Sequence, residues 1–157
     1  MEAIISSSDP DTSFVVITER LRECEDKYLT DLMAPLNFLR HEAALDWIEK
    51  NAERTVGVSQ LWGHLAASSN LSWNRATEWL RRGRPWSLIA LDGLVFCTTR
   101  GKRLNQSAWM RQIDPRLPDR PECSEAELVL RQYLSRDNVP RTRKNIEVII
   151  NNLCDGN

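Results

Sequence analysis

The sequence is short of the residues from which several kinds of site are built. Six glycines in 157 residues are too few and too scattered for a glycine-rich phosphate loop, and neither a G-x-S-x-G elbow nor an H-E-x-x-H stretch occurs. Only two histidines are present, His41 and His64, each standing alone. The four cysteines, Cys24, Cys97, Cys123 and Cys154, lie far apart with no C-x-x-C pair. That spacing points away from a zinc cluster or a disulfide framework and towards reduced thiols. No apolar run approaches the roughly 20 residues that cross a bilayer, so no membrane segment is expected. The opening MEAIISSSDPD has no basic stretch before its short apolar patch, which points away from a secretory signal and towards the cytoplasm. Carboxylate pairs such as Glu23 with Asp26 and Glu49 with Glu53 fall on helices whose outer faces are acidic anyway. The expectation is a non-enzymatic chain with no catalytic residue, no cofactor and no metal site.

What is present is charge, unevenly placed. The formal net charge of −1 comes from 21 Lys and Arg against 22 Asp and Glu. By segment it is −6 over residues 1–56, +6 over 57–120 and −1 over 121–157. Only Lys27, Lys50, Lys102 and Lys144 are lysines. The rest of the positive charge is guanidinium, a planar fork suited to phosphates, guanine edges and carboxylates.

The apolar pattern reads as mainly helical. Phe14, Ile17, Leu21, Cys24, Tyr28 and Leu32 recur every three or four positions behind cap-type residues at 9–13, which predicts one helix of about five turns. Pro35 interrupts, and a second helix is expected over 36–51 with Leu36, Leu39, Ala43, Trp47 and Ile48 inward. A short helix at 60–67 and a turn at 68–70 lead to Ser72, which caps a helix over 73–82. In that helix Trp73, Ala76, Trp79 and Leu80 form one stripe, opposite Asn74, Arg75, Glu78, Arg81 and Arg82. WSLIALDGLVFCTT then reads as two strands, 86–91 and 94–98, joined by the hairpin-type pair Asp92-Gly93. Pro115, Pro118 and Pro121 mark a connection. Ser124 with Glu127 opens a helix to about 135, and a last helix spans 142–153. The division expected is an acidic helical segment at 1–41, a central domain at 42–104, a proline-containing connection at 105–123 and a helical hairpin at 124–157.

The central order, EAALDWIEKN, SQLWGHLAA, SWNRATEWLRRG and then the hairpin, resembles a winged helix-turn-helix over about residues 42–98. The fold class expected is therefore mainly α with one small β-hairpin. The resemblance implies that the 73–82 helix lies in the major groove of DNA. Arg75 would then contact a guanine edge, Asn74 an adenine, and Glu78 a cytosine or Arg75 itself. Arg81, Arg82 and Arg84, with Arg100, Lys102 and Arg103 beyond the hairpin, would neutralise phosphates. DNA or RNA is thus the expected partner of a small regulator. The alternative is a protein-interaction module, an adaptor or immunity-type component using the same fold, since winged helices also bind proteins. A third arrangement folds the acidic segment back over the basic one. Among six tryptophans, Trp47, Trp62 and Trp79 are expected to pack together, while Trp109 and then Trp73 are the candidates for an exposed, partner-binding ring. The terminal helices carry enough apolar surface for a homodimer interface.

Overall fold

A computed structural model describes residues 9–54, 59–99 and 117–155. Nine α-helices run through them: α1 Pro10–Glu23, α2 Asp26–Met33, α3 Leu36–Leu39, α4 Ala43–Asn51, α5 Ser59–Ser68, α6 Trp73–Arg82, α7 Trp86–Thr98, α8 Cys123–Leu134 and α9 Pro140–Cys154, with a single 3-10 turn Ala52–Arg54 after α4. Asp9 caps α1, its carboxylate accepting from the Thr12 amide at 3.2 Å. The continuous helix expected from Phe14 to Leu32 is broken because Cys24 is extended, at φ −76° and ψ 150°. The guanidinium of Arg54 fills the break, donating to the carbonyls of Leu21 and Cys24, each at 2.9 Å, and to Asp26 Oδ1 at 2.8 Å. The helix expected over 36–51 is likewise two, parted where Arg40 takes the left-handed conformation at φ 50°.

The winged architecture is not what forms. Residues 86–98 are one helix, α7, and no strand occurs among the described residues. Its buried residues Ser87, Ile89, Ala90, Leu91, Asp92, Gly93, Leu94, Cys97 and Thr98 surround the axis on every side. A helix wrapped by others loses the one-sided periodicity by which helices are recognised, and a run of apolar residues then reads equally as strands. The pair Asp92-Gly93 serves helix packing and makes no turn. A Cβ on Gly63 of α5 would lie 2.5 Å from the Asp92 Cβ, and a Cβ on Gly93 would lie 2.7 Å from Leu71 Cδ2. The two glycines let α5 and α7 cross at close backbone approach. The Asp92 carboxylate, itself buried, accepts from Arg141 Nη2 at 2.8 Å and Asn145 Nδ2 at 2.9 Å, which ties α7 to α9.

Around α7 pack α5, α6 and α9, while α1, α2 and α3 pack together and reach the centre through α3 and α4 against α5. Trp62 and Trp79 are fully buried, and Trp47 stacks on Trp62 with ring centroids 5.1 Å apart. No helix among the described residues is long and apolar enough to cross a membrane. The cysteine expectation needs correction: Cys123 and Cys154 form a disulfide, with their Cα atoms 5.1 Å apart. They stand 31 residues apart in sequence, but the antiparallel α8–α9 hairpin brings the start of one helix to the end of the other. Cys24 and Cys97 are outside the bond.

Candidate polyanion-binding edge

The helix expected to carry recognition, α6, is held at its N-terminal end by two side chains. The Ser72 hydroxyl accepts from the Arg75 amide at 3.0 Å, as its sequence position predicts. A second cap comes from far along the chain: the Asp119 carboxylate accepts from the amides of Trp73 and Asn74, the latter at 2.9 Å. A carboxylate there also complements the positive end of the helix dipole. Trp73 is buried and donates its indole N–H to Glu125 at 3.1 Å. It is therefore not the exposed partner-binding ring expected from the sequence.

Arg75, the expected base reader, is turned onto α4. Its guanidinium meets Asp46 at 2.5 Å and Glu49 at 3.2 Å. Burial works against its charge, but the Asp46 hydrogen bond and the pull of Glu49 outweigh that, and its pKa is raised. Glu49 gathers further donors: Trp79 Nε1 at 2.6 Å, Arg82 Nη2 at 3.8 Å and, on its backbone carbonyl, Trp86 Nε1 at 3.0 Å. Arg75 also lies over the Trp79 ring and Arg82 over the Trp86 ring, each about 6 Å from the centroid. The side of α6 carrying 75, 79 and 82 is thus neutralised inside the molecule by α4. The outer side keeps Asn74, Glu78 and Arg81 exposed.

Beyond α6 the arginines converge on one turn, Arg136-Asp137-Asn138, between α8 and α9. Arg84 grips the Asp137 carboxylate through two hydrogen bonds of 2.8 and 2.9 Å. Arg143 grips the side-chain Oδ1 of Asn138 through two of 3.2 and 2.8 Å. Arg136 begins the turn, and its side chain, like those of Arg81 and Lys144, is exposed, with no hydrogen bond or ion pair to another of the described residues. Arg84 and Arg143 thus meet at this edge, with Arg81 and Arg82 in the last turn of α6 just before Arg84, and Lys144 next to Arg143 in sequence. Arg136, Arg143 and Lys144 do not stand out in the sequence because they fall in a segment of net charge −1; for the last two the run RTRKN at the start of α9 is the available signal. Arg100, Lys102, Arg103 and Trp109 lie outside the described residues. Among the described residues no cluster of His, Cys, Asp and Glu could hold a metal ion.

The turn is fixed by a titratable network. Tyr133 Oη lies 2.7 Å from Ser87 Oγ and 2.9 Å from Asp137 Oδ2. An ionised carboxylate only accepts, so Tyr133 donates to Asp137 and Ser87 donates to Tyr133. The Arg84 hydrogen bond holds the Asp137 carboxyl below the usual carboxylate range, and burial pushes the Tyr133 hydroxyl up. Because the folded-state value of Asp137 is depressed, its contribution to stability is present above pH 4 and is lost as the pH falls through the folded value. Asp137→Asn is expected to cost about 1 kcal/mol at pH 7 and to flatten the fall in stability below pH 4, as urea unfolding across pH 2–7 would show. Equal stability of the two proteins at pH 7 would contradict this.

Comparison of the chain with protein-family models, with curated proteins and with solved structures finds no match.

Proposed function

We propose that the chain is a small non-enzymatic nucleic-acid-binding protein that grips phosphates through the arginine edge at the end of α6 and the α8–α9 turn. The observation that carries this reading is the convergence of Arg84 and Arg143 on the turn that Arg136 opens. Asp137 pairs with Arg84, while the exposed acids Glu78 and Glu147 lie three residues from Arg81 and four from Arg143 on their own helices. Guanidinium groups held by neighbouring side chains lose less conformational freedom on meeting a phosphate than mobile ones do. With Arg75 turned onto α4, the contacts are to backbone phosphates, so binding is sequence-tolerant and salt-dependent. A cytoplasmic location belongs to this reading, and there a disulfide is usually transient or redox-sensing.

Fluorescence anisotropy with random duplex DNA and duplex RNA at 50 and 200 mM salt tests it. Four phosphate contacts give a loss of affinity of about a hundredfold between those salts. A triple variant, Arg81→Ala with Arg136→Ala and Arg143→Ala, should flatten the salt slope, whereas Arg75→Ala should leave it unchanged. Absence of binding at 50 mM salt would overturn the proposal. It would favour the second reading, a protein-interaction module, which has its own support in the pairing of Arg75 with Asp46 and Glu49. In that reading α6 is a scaffold, and its acidic neighbours fix its face for a protein partner.

A further inference from the structure

We infer that Cys123–Cys154 is a thiol-exchangeable clamp that controls how firmly the strap at 117–122 holds the start of α6. Two neighbouring residues in the middle of the strap attach it on opposite sides. Asp119 caps the amides of Trp73 and Asn74. Arg120 donates to the carbonyls of Asn152 and Leu153 at 3.2 and 3.1 Å, closing the end of α9 beside Cys154. Cys123 follows directly as the first residue of α8, and Glu125, in the same turn, accepts a hydrogen bond from the Trp73 indole N–H. The backbone cap and the side-chain anchor of Trp73 therefore both hang on a segment that the disulfide pins to α9.

The positions of the two sulfurs set the direction of exchange. Cys123 is at a helix N-terminus whose N-cap, Glu122, makes no side-chain hydrogen bond to the first-turn amides. Those amides and the helix dipole favour a thiolate, although Glu122 and Glu125 oppose it. Cys154 lies in the last turn of α9, at the negative end of that dipole, with Arg120 beside it as compensation. Both cysteines are partly exposed. An incoming low-molecular-weight thiolate such as glutathione attacks Cys154 Sγ and forms a mixed disulfide there, and Cys123 leaves as the thiolate. A second thiolate attacks the mixed disulfide, releasing oxidised glutathione and the Cys154 thiolate. Two protein thiols result and two glutathiones are oxidised.

Native protein incubated with graded ratios of reduced to oxidised glutathione, acid-quenched, alkylated and mapped by mass spectrometry, should pass reversibly from disulfide to dithiol, with the mixed disulfide on Cys154. Reduction should speed hydrogen exchange at the Trp73 and Asn74 amides about tenfold, with little change in the core of α7. Asp119→Asn should speed the same amides while Cys123–Cys154 stays oxidised, and reduction should then add little. The inference fails if the bond resists every glutathione ratio until the protein unfolds. It also fails if the mixed disulfide falls on Cys123, or if the reduced protein protects both amides as the oxidised one does.

Discussion

Gly63→Ala is expected to be the most damaging single-methyl change in the molecule, costing about 3 kcal/mol or more. The added carbon would stand 2.5 Å from the Asp92 Cβ, 2.8 Å from the Gly93 nitrogen and 2.9 Å from the Asp92 carbonyl carbon. Two of these three are backbone atoms of α7, so no rotamer change relieves the clash and α5 as a whole must withdraw. Such a shift would disturb Trp62 and Leu65 of α5 against Leu91 and Leu94 of α7, all of them fully buried. Gly93→Ala is expected to cost less, about 1–2 kcal/mol, because its nearest neighbour is the far end of Leu71. Urea unfolding should therefore rank wild type, Gly93→Ala and Gly63→Ala in that order of midpoint. A Gly63→Ala protein unfolding with the wild-type midpoint would mean that α5 and α7 do not cross this closely.

Glu49→Ala is expected to be nearly as costly, about 2–4 kcal/mol. The carboxylate is the acceptor for the indole proton of fully buried Trp79 and a shared counter-charge for Arg75 and Arg82. Removing it leaves the indole N–H unpaired and Arg75 with Asp46 as its remaining acid. Glu49→Gln keeps an oxygen for Trp79 and gives up the charge, so its cost should be nearer 1 kcal/mol. If the arginine edge binds nucleic acid, Glu49→Gln should also tighten that binding a few-fold at low salt by releasing Arg82. Chemical unfolding of the two variants separates the roles: equal losses would mean that the charge, and not the acceptor, is what Trp79 and α6 depend on.

How legible this molecule is in its sequence depends on whether an element is set locally. Helix α6 is readable because Ser72 caps it and its stripe of Trp73, Ala76, Trp79 and Leu80 repeats on one face. Helix α7 is unreadable for the opposite reason: burial on all sides erases the repeat, and a dipeptide that usually makes a turn is used for a close crossing and a buried carboxylate. The breaks after Glu23 and at Arg40 escape because each is imposed from elsewhere or by an unusual backbone angle, with no proline or glycine to mark it. The polar face of α6 is legible as polar, yet its availability is decided by Asp46 and Glu49, 29 and 26 residues earlier in the chain. Spacing within one helix shows which residues share a side and is silent on what covers that side. The disulfide escapes similarly, since its spacing matches no short motif and the helical hairpin alone brings its halves together.

The guanidinium seated between α1 and α2 has a consequence for the order in which the N-terminal third takes shape. The bend there depends on three hydrogen bonds from Arg54, about thirty residues further along. A chain emerging from the ribosome therefore makes the two helices before it makes the residue that sets the angle between them. Until the turn after α4 has emerged, the apolar periodicity from Phe14 to Leu32 is free to run as one straight rod. The acidic N-terminal segment is in this sense not self-sufficient: its geometry is completed by a residue of the next segment.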